Sequence, residues 1–359
     1  MGKTTELLSL TGDESPGMPI LPDELIFEIL LRLPVRSLLQ FKCVCKSWKT
    51  LISHPQFAKD HLRTSTANTN MPHQRLVCLT AGSRKMLSFS VQSLFQNPSN
   101  PSKPLSFWLI GDSFISLVSC NGLLCMCDDP PTYVKLWNPS IGLISKAMPI
   151  GINRPRERVT HMGFGYDHVN DKYKLLVVVQ SRYHETEIVT KIYTFGSNSC
   201  KVIQNFLSHT VQCLGKFVSS TLNWLSRRGD PCVILSFDLG TETFGELLLP
   251  NLDGVVICIS ELHVLRDCLC VCILESKALK WDVWLMKEYG VQDSWTKLTM
   301  SSHFVEGDWT WIKLRMLPLD SYGFGSYLKL DLLCISEDGV VMLVPNRSFS
   351  KVVLFNLNN

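Results

Sequence analysis

Residues 21–34 read Leu21-Pro22-Asp23-Glu24-Leu25-Ile26-Phe27-Glu28-Ile29-Leu30-Leu31-Arg32-Leu33-Pro34. Proline suits a first helical turn and the two acids after it complement the positive end of a helix dipole, so a helix is expected from here to Pro34. Leu25, Ile26, Phe27, Ile29, Leu30, Leu31 and Leu33 are apolar, and only Glu28 and Arg32 carry charge, four residues apart in the favourable order. A helix that is apolar on nearly every side needs partners on nearly every side.

Its neighbours in the chain are short. Val35, Leu38, Leu39 and Phe41 predict a second helix, and Val44, Trp48, Leu51 and Ile52 a third, closed by His54-Pro55. Lys42, Lys46 and Lys49 fall together on the opposite face, as solvated charges ordinarily do. Helices of about ten residues do not persist alone in water, and about forty residues is near the lower limit of a self-sufficient fold. Two such helices cannot cover the first, so its open face is expected to meet another protein or the long C-terminal region.

Outside this segment the composition changes. Residues 1–19 are polar and rich in Gly, Pro, Ser and Thr, and read as a flexible tail; 20–62 are helical; 63–74 form a polar linker; 75–359 carry short strands between turn residues. The 359 residues suggest two or three domains, and 45% hydrophobic against 19% charged residues suffices for a core. Lys and Arg total 35 against 32 Asp and Glu, a net +3 that offers no long-range attraction to nucleic acid or an anionic membrane. No apolar run approaches the ~20 residues of a membrane span. The opening residues lack a signal-peptide core, so a soluble protein of the cytoplasm and/or nucleus with reduced thiols is expected.

In the C-terminal region five turns follow strands: Tyr133 to Gly142, Lys191 to Asn198, Val233 to Gly240, Asp282 to Gly290 and Val340 to Asn346. Each is preceded by another apolar strand, namely Gly122 to Cys127, Tyr173 to Val179, Thr221 to Leu225, Cys268 to Leu274 and Leu332 to Ser336. Trp137, Phe195, Phe237, Met286 and Val344 mark the hairpins 42 to 58 residues apart, which brackets one propeller blade of roughly 40 to 50 residues. With the strands before residue 110, about six blades are expected. The fold class is therefore multidomain, a small three-helix unit followed by an all-β, propeller-like domain.

Signatures of chemistry are sparse. Cys43 and Cys45, Cys125 and Cys127, and Cys268, Cys270 and Cys272 are spaced by single residues, which on a strand means one shared face, whereas paired zinc ligands have two to four residues between them. Phosphate-binding loop, nucleophile elbow and His-Glu-x-x-His patterns are missing, so neither catalysis nor a cofactor or metal is expected. Gly163-Phe-Gly165 and Gly323-Phe-Gly325 read as strand-end turns. Arg154, Arg156 and Arg158, then Arg182 and His184 beside Glu185 and Glu187, then Arg227 and Arg228, read as loop charge. The plain role of such loops is solubility, and the functional one is contact with a captured target.

Two resemblances join these observations. Leu21-Pro22-x-Glu24-Leu25, Glu28-Ile29-Leu30, Leu33-Pro34-Val35-x-Ser37-Leu38, Phe41-Lys42-x-Val44-Cys45-Lys46-x-Trp48 and Ile52-x-x-Pro55-x-Phe57 together resemble an F-box over its full length. That resemblance implies a Skp-family adaptor as partner and, through it, cullin, with Leu21, Pro22, Leu25, Ile29, Leu33, Pro34, Leu38, Val44 and Trp48 as anchors. Ser119-Cys-Asn-Gly-Leu-Leu124, Leu136-Trp-Asn-Pro-Ser140, Gly163-Phe-Gly-Tyr-Asp167 with Asp171-x-Tyr-Lys174, Leu222-Asn-Trp224, Ser236-Phe-Asp238 and Asp282-Val-Trp284 are similar, in order, to the F-box-associated interaction domain of plant F-box proteins, some of them kelch-like. This second likeness implies capture of a target protein for ubiquitination. A glycan or small-ligand reader is the alternative, and a copper oxidase on a kelch-like propeller would need a clustered His and Tyr set that the chain does not display.

Overall fold

The computed structural model describes residues 21–67, 75–79, 85–96, 103, 105–108, 114–128, 131–139, 141–152, 156–184, 186–197, 199–203, 214–226, 232–251, 257–265, 267–275, 280–299, 330–335, 340–345 and 353–356. They fall into two compact units divided at residues 68/69.

The described residues of the first unit form four helices: α1 (Asp23–Leu31), α2 (Val35–Phe41), α3 (Lys46–Ser53) and α4 (Pro55–Ala67). The carbonyl of Pro22 accepts the first turn of α1, from Leu25 and Ile26, and that of Pro34 accepts from Leu38 at the start of α2. Three helices were expected. Pro55 not only ends α3 but begins a fourth, because a residue without an N–H suits the first helical position. The segment read as linker therefore stays helical to Ala67. This helix completes the core: Phe57 is buried beside Leu30, Leu31, Leu38 and Ile52, meets Phe27 edge-on at 5.7 Å, and a ring nitrogen of His61 lies 2.8 Å from the Leu33 carbonyl.

The second unit is a run of antiparallel sheets. The first sheet holds β1 (Arg75–Leu79), β2 (Lys85–Ser90) and, after a short helix α5 (Val91–Gln96), β3 (Leu105–Trp108). The second holds β4 (Phe114–Cys120), β5 (Leu123–Asp128), β6 (Tyr133–Asn138), β7 (Leu143–Ile144) and β8 (Met148–Pro149). The third holds β9 (Glu157–Asp167), β10 (Lys172–Ser181), β11 (Ile188–Thr194) and β12 (Ser199–Ile203), and the fourth β13 (Lys216–Val218), β14 (Thr221–Ser226), β15 (Val233–Asp238) and β16 (Thr243–Leu248). The fifth holds β17 (Ile257–Leu265), β18 (Cys268–Glu275), β19 (Lys280–Met286) and β20 (Trp295–Thr299), and the sixth β21 (Leu330–Ile335), β22 (Val340–Pro345) and β23 (Val353–Asn356). Six sheets among the described residues agree with the expected number of blades. Each expected turn is the outer hairpin of a sheet.

First strands of successive sheets lie side by side, the arrangement of a β-propeller: β9 touches β4, β13 and β14, and β17 touches β13, β14 and β21. Met162 and Leu214 form a parallel bridge, with the Gly215 amide donating to the Met162 carbonyl at 2.7 Å. The third and fourth sheets therefore point the same way.

The cores lie between sheets, which explains the apolar runs. Along β10, Leu175, Val177 and Val179 pack with Cys120, Cys125 and Cys127 of the second sheet, while Leu176 and Val178 pack with Leu222, Trp224 and Phe237 of the fourth. A strand covered on both faces has no polar alternation to display. The cysteine doublets of β5 and β18 belong to this packing, with Cys125, Cys127, Cys270 and Cys272 buried; burial pushes the Cys120 thiol up to about 12.

Two glycine readings change. Gly163 and Gly165 lie within β9, not at a strand end. A Cβ at Gly163 would stand 2.8 Å from Leu222 and Trp224, and one at Gly165 2.4 Å from Phe217, so the missing side chains let the fourth sheet approach. Gly323-Phe-Gly325 lies outside the described residues. Asn121 (φ 51°) and Gly122 (φ 75°) form the two-residue turn between β4 and β5, where both positions need positive φ.

Candidate functional site

Two surfaces qualify, one on each unit. On the helical unit α1 divides its apolar residues unequally. Leu30 and Leu31 are buried and Ile26 and Phe27 pack against the same core, but Leu21, Leu25 and Ile29 remain 53%, 50% and 49% exposed. Leu25 and Ile29 are four apart and so share one helix face. Val44, 62% exposed before α3, adds a further apolar side chain, and Pro22 and Pro34 are also exposed.

Of the nine expected anchors, these six lie at the surface of the unit. Leu38 does not: at 5% exposure it is part of the core of the helical unit. Leu33 and Trp48 also pack on that core, with Trp48 edge-on to Phe41 at 5.5 Å. Leu39, 39% exposed, was not among the expected anchors. The signal was its place next to Leu38, since adjacent helical residues face different ways.

On the sheet unit the two rims of the third and fourth sheets differ. At the rim where β9 ends, polar groups lock neighbouring sheets together. Asp167 accepts from the amides of Val169 and Asn170 at 2.9 and 3.1 Å, and its Oδ2 lies 2.9 Å from Lys174 Nζ. Lys174 Nζ crosses to the fourth sheet, donating to the Leu239 carbonyl at 2.6 Å and to Glu242 Oε1 at 3.0 Å, and Lys201 Nζ lies 2.6 Å from Glu242 Oε2. Burial alone would raise the Asp167 carboxyl, but the Lys174 and Asn170 contacts outweigh it and hold the group below its ordinary range. Burial would likewise lower Lys174, and its two carboxylate partners raise it instead. Between the fourth and fifth sheets the Tyr289 hydroxyl donates to Asn223 Oδ1 at 2.7 Å and accepts from Thr221 at 2.6 Å.

The rim where β9 begins is open. A cleft of about 600 Å³ is lined by Arg156, Glu157, Val179, Ser181, Tyr183, His184, Glu187 and Val189. The turn between β10 and β11 is held by its backbone: Ser181 N donates to the Glu187 carbonyl at 2.9 Å, Glu187 N to that of His184 at 3.0 Å, and Arg182 N to that of Arg156 at 2.7 Å. Two stretches separated in sequence, 156–158 and 182–184, thus become neighbours. Tyr183, 70% exposed, was not singled out from the sequence, and an aromatic inside a charged loop was the available signal. Arg154, Glu185, Arg227 and Arg228 lie outside the described residues.

Neither surface carries a group of three or more His, Cys, Asp or Glu arranged for a metal among the described residues. No helix among them is long and apolar enough to cross a membrane.

Comparison with known proteins accounts for both units. Residues 76–343 match the family described as the F-box associated beta propeller domain, and residues 18–60 match the F-box domain. An F-box/kelch-repeat protein of Arabidopsis thaliana is 35% identical over 291 residues, covering 77% of this chain and 78% of the relative. The F-box protein CPR1 of the same plant is 28% identical over 312 residues, covering 78% of this chain and 73% of the relative.

Proposed function

The chain belongs to the family of F-box proteins with an F-box associated β-propeller domain, and from that premise we propose that it is the substrate-recognition subunit of a Skp–cullin–F-box ubiquitin ligase. Its helical unit docks a Skp-family adaptor, and its sheet unit holds a target protein. The subunit itself forms no covalent intermediate. Its contribution is geometric, since fastening the target near a ubiquitin-loaded enzyme raises the effective concentration of the acceptor lysines.

The observation that carries this reading is the exposed stripe on α1. A unit that buries Leu30, Leu31, Leu38, Ile52 and Phe57 leaves Leu21, Leu25, Ile29 and Val44 in water, and large apolar side chains left exposed on a small unit mark an interaction site. Leu21, Pro22, Leu25, Ile29, Pro34 and Val44 form the docking face in this proposal. Co-expression with a tagged Skp adaptor tests it: the wild-type chain co-purifies with adaptor and cullin, and Leu25→Asp, which places a carboxylate in an apolar interface, loses both. Undiminished adaptor recovery by Leu25→Asp would refute the assignment.

A further inference from the structure

The charges of the helical unit are sorted by helix. Among residues 21–67 the acids, Asp23, Glu24, Glu28 and Asp60, stand on α1 and α4, whereas the stretch from Leu33 to Lys59 holds Arg36, Lys42, Lys46, Lys49 and Lys59 and not one Asp or Glu. Arg32 meets Glu28 at 2.9 Å and Arg63 meets Asp60 at 3.5 Å. Among the described residues Arg36, Lys42, Lys46 and Lys49 form no ion pair. Lys46 and Lys49 are three apart and share a face of α3, and Lys42 closes α2 just before it. Like charges so placed repel one another, which a merely solvated surface relieves by mixing in acids.

A hollow of about 500 Å³ opens on α3 in the same place, lined by Lys46, Ser47, Thr50, Leu51 and His54. Among the described residues no acid lines it. Its polar groups can all donate: the Lys46 ammonium, the two hydroxyls, and His54 Nε2, which keeps the ring proton of the neutral imidazole because Nδ1 accepts from the Gln56 amide at 3.2 Å.

We infer that this cationic face of α2 and α3 receives an acidic segment of the Skp-family adaptor, next to the apolar contact at Val44. The inference rests on the ligase reading above. Pro34 and Val44, two residues of the proposed docking face, lie inside the acid-free stretch. Val44 is two residues from both Lys42 and Lys46, a span of at most ~7 Å along the chain, which is shorter than the ~10 Å over which charges act in about 0.1 M salt. An adaptor surface that covers Val44 therefore stands within the field of these cations, and carboxylates on it are drawn in. Lysine heads on long stems steer an approaching partner more than they hold it, so the effect belongs chiefly to the association rate.

The test immobilises the full-length chain and follows purified Skp-family adaptor by biolayer interferometry. The association rate of the wild type should fall about tenfold or more as salt rises from about 0.01 M to about 1 M. Joint substitution Lys42→Gln, Lys46→Gln and Lys49→Gln should slow association, and the corresponding Glu substitutions should slow it about tenfold or more, with the dissociation rate changed less than about threefold. The melting temperature should stay unchanged in both triple variants. A wild-type rate indifferent to salt, or triple variants that associate like the wild type, would overturn the inference. So would substitutions that spare adaptor kinetics but abolish retention on vesicles of phosphatidylserine and phosphatidylcholine, since the row would then serve a membrane. Leu25→Asp is measured alongside. If it loses the adaptor while the lysine substitutions change nothing, the cationic face alone is misassigned; if the wild type binds no adaptor, the ligase reading falls and this inference with it.

Discussion

Along β14 every side chain from Thr221 to Ser226 is buried, whereas along α1 Leu25 and Ile29 keep about half their surface in water. The residue types are alike and the surroundings are not. β14 lies between the third and fifth sheets, which supply apolar partners on both faces. Among the described residues of its unit α1 has three other helices to pack on, and they cover one side. Apolar surface is therefore a device of stability in the sheet unit and of association in the helical one.

The largest effect should come from exchanging these roles within the helical unit. Leu38→Asp buries a carboxylate in the core and should cost several kcal/mol, enough to melt α1 to α4. Leu25→Asp should alter stability by about 0.5 kcal/mol or less, because that side chain is already half in solvent. Far-UV circular dichroism of the two variants separates the cases, and equal loss of helix in both would erase the distinction between core and docking face.

In the sheet unit Lys174→Ala leaves Asp167 buried without its cation and should cost about 3 kcal/mol or more in urea unfolding. The same group of charges sets a pH dependence. Asp167 and Glu242 titrate below their ordinary values, so their contribution is full above about pH 4 and is lost as acid carries the pH down through the folded-state values. Lys174 titrates above its ordinary value, so its contribution holds below about pH 10.4 and is lost as the pH rises through the folded-state value. Melting temperature against pH should thus fall at both ends in the wild type and flatten in Lys174→Ala.

Gly163→Ala brings a methyl within 2.8 Å of Leu222 and Trp224, and should destabilise the sheet unit by about 1–3 kcal/mol. The smallest effect belongs to Glu28→Gln. Its partner Arg32 is 2.9 Å away, but both side chains are more than half exposed, and such a pair contributes about 0.3–0.5 kcal/mol. A loss above 1 kcal/mol would mean that this solvent-facing pair is part of the packing.

How much of this the chain displayed before folding follows from the range of the interactions. The blades were legible because each second strand is an apolar run and each outer hairpin has turn residues at its tip, as in Val233 to Gly240. The F-box pattern was legible for the same local reason. What was hidden depends on distant residues. On a helix apolar all round, nothing marks Leu25 as outer and Leu30 as inner until α4 brings Phe57 against one side. That helix was itself obscured, because Pro55 serves equally as a stop and as a start. Lys174 meets Glu242, 68 residues away in sequence, and no spacing rule reaches so far. The cleft was half visible: Arg156 and His184 were candidates in separate loops, and the pairing of β9 with β10, continued by the bond from the Arg182 amide to the Arg156 carbonyl, makes those loops neighbours.

The central claim is that the outer stripe of α1 awaits a Skp-family adaptor. Hydroxyl-radical footprinting of the full-length chain, with and without purified adaptor, examines it side chain by side chain. Protection of Leu21, Leu25, Ile29 and Val44 on adding adaptor, with Tyr183 unchanged, is the predicted outcome. Unaltered oxidation of those four side chains in a mixture saturated with adaptor would contradict it.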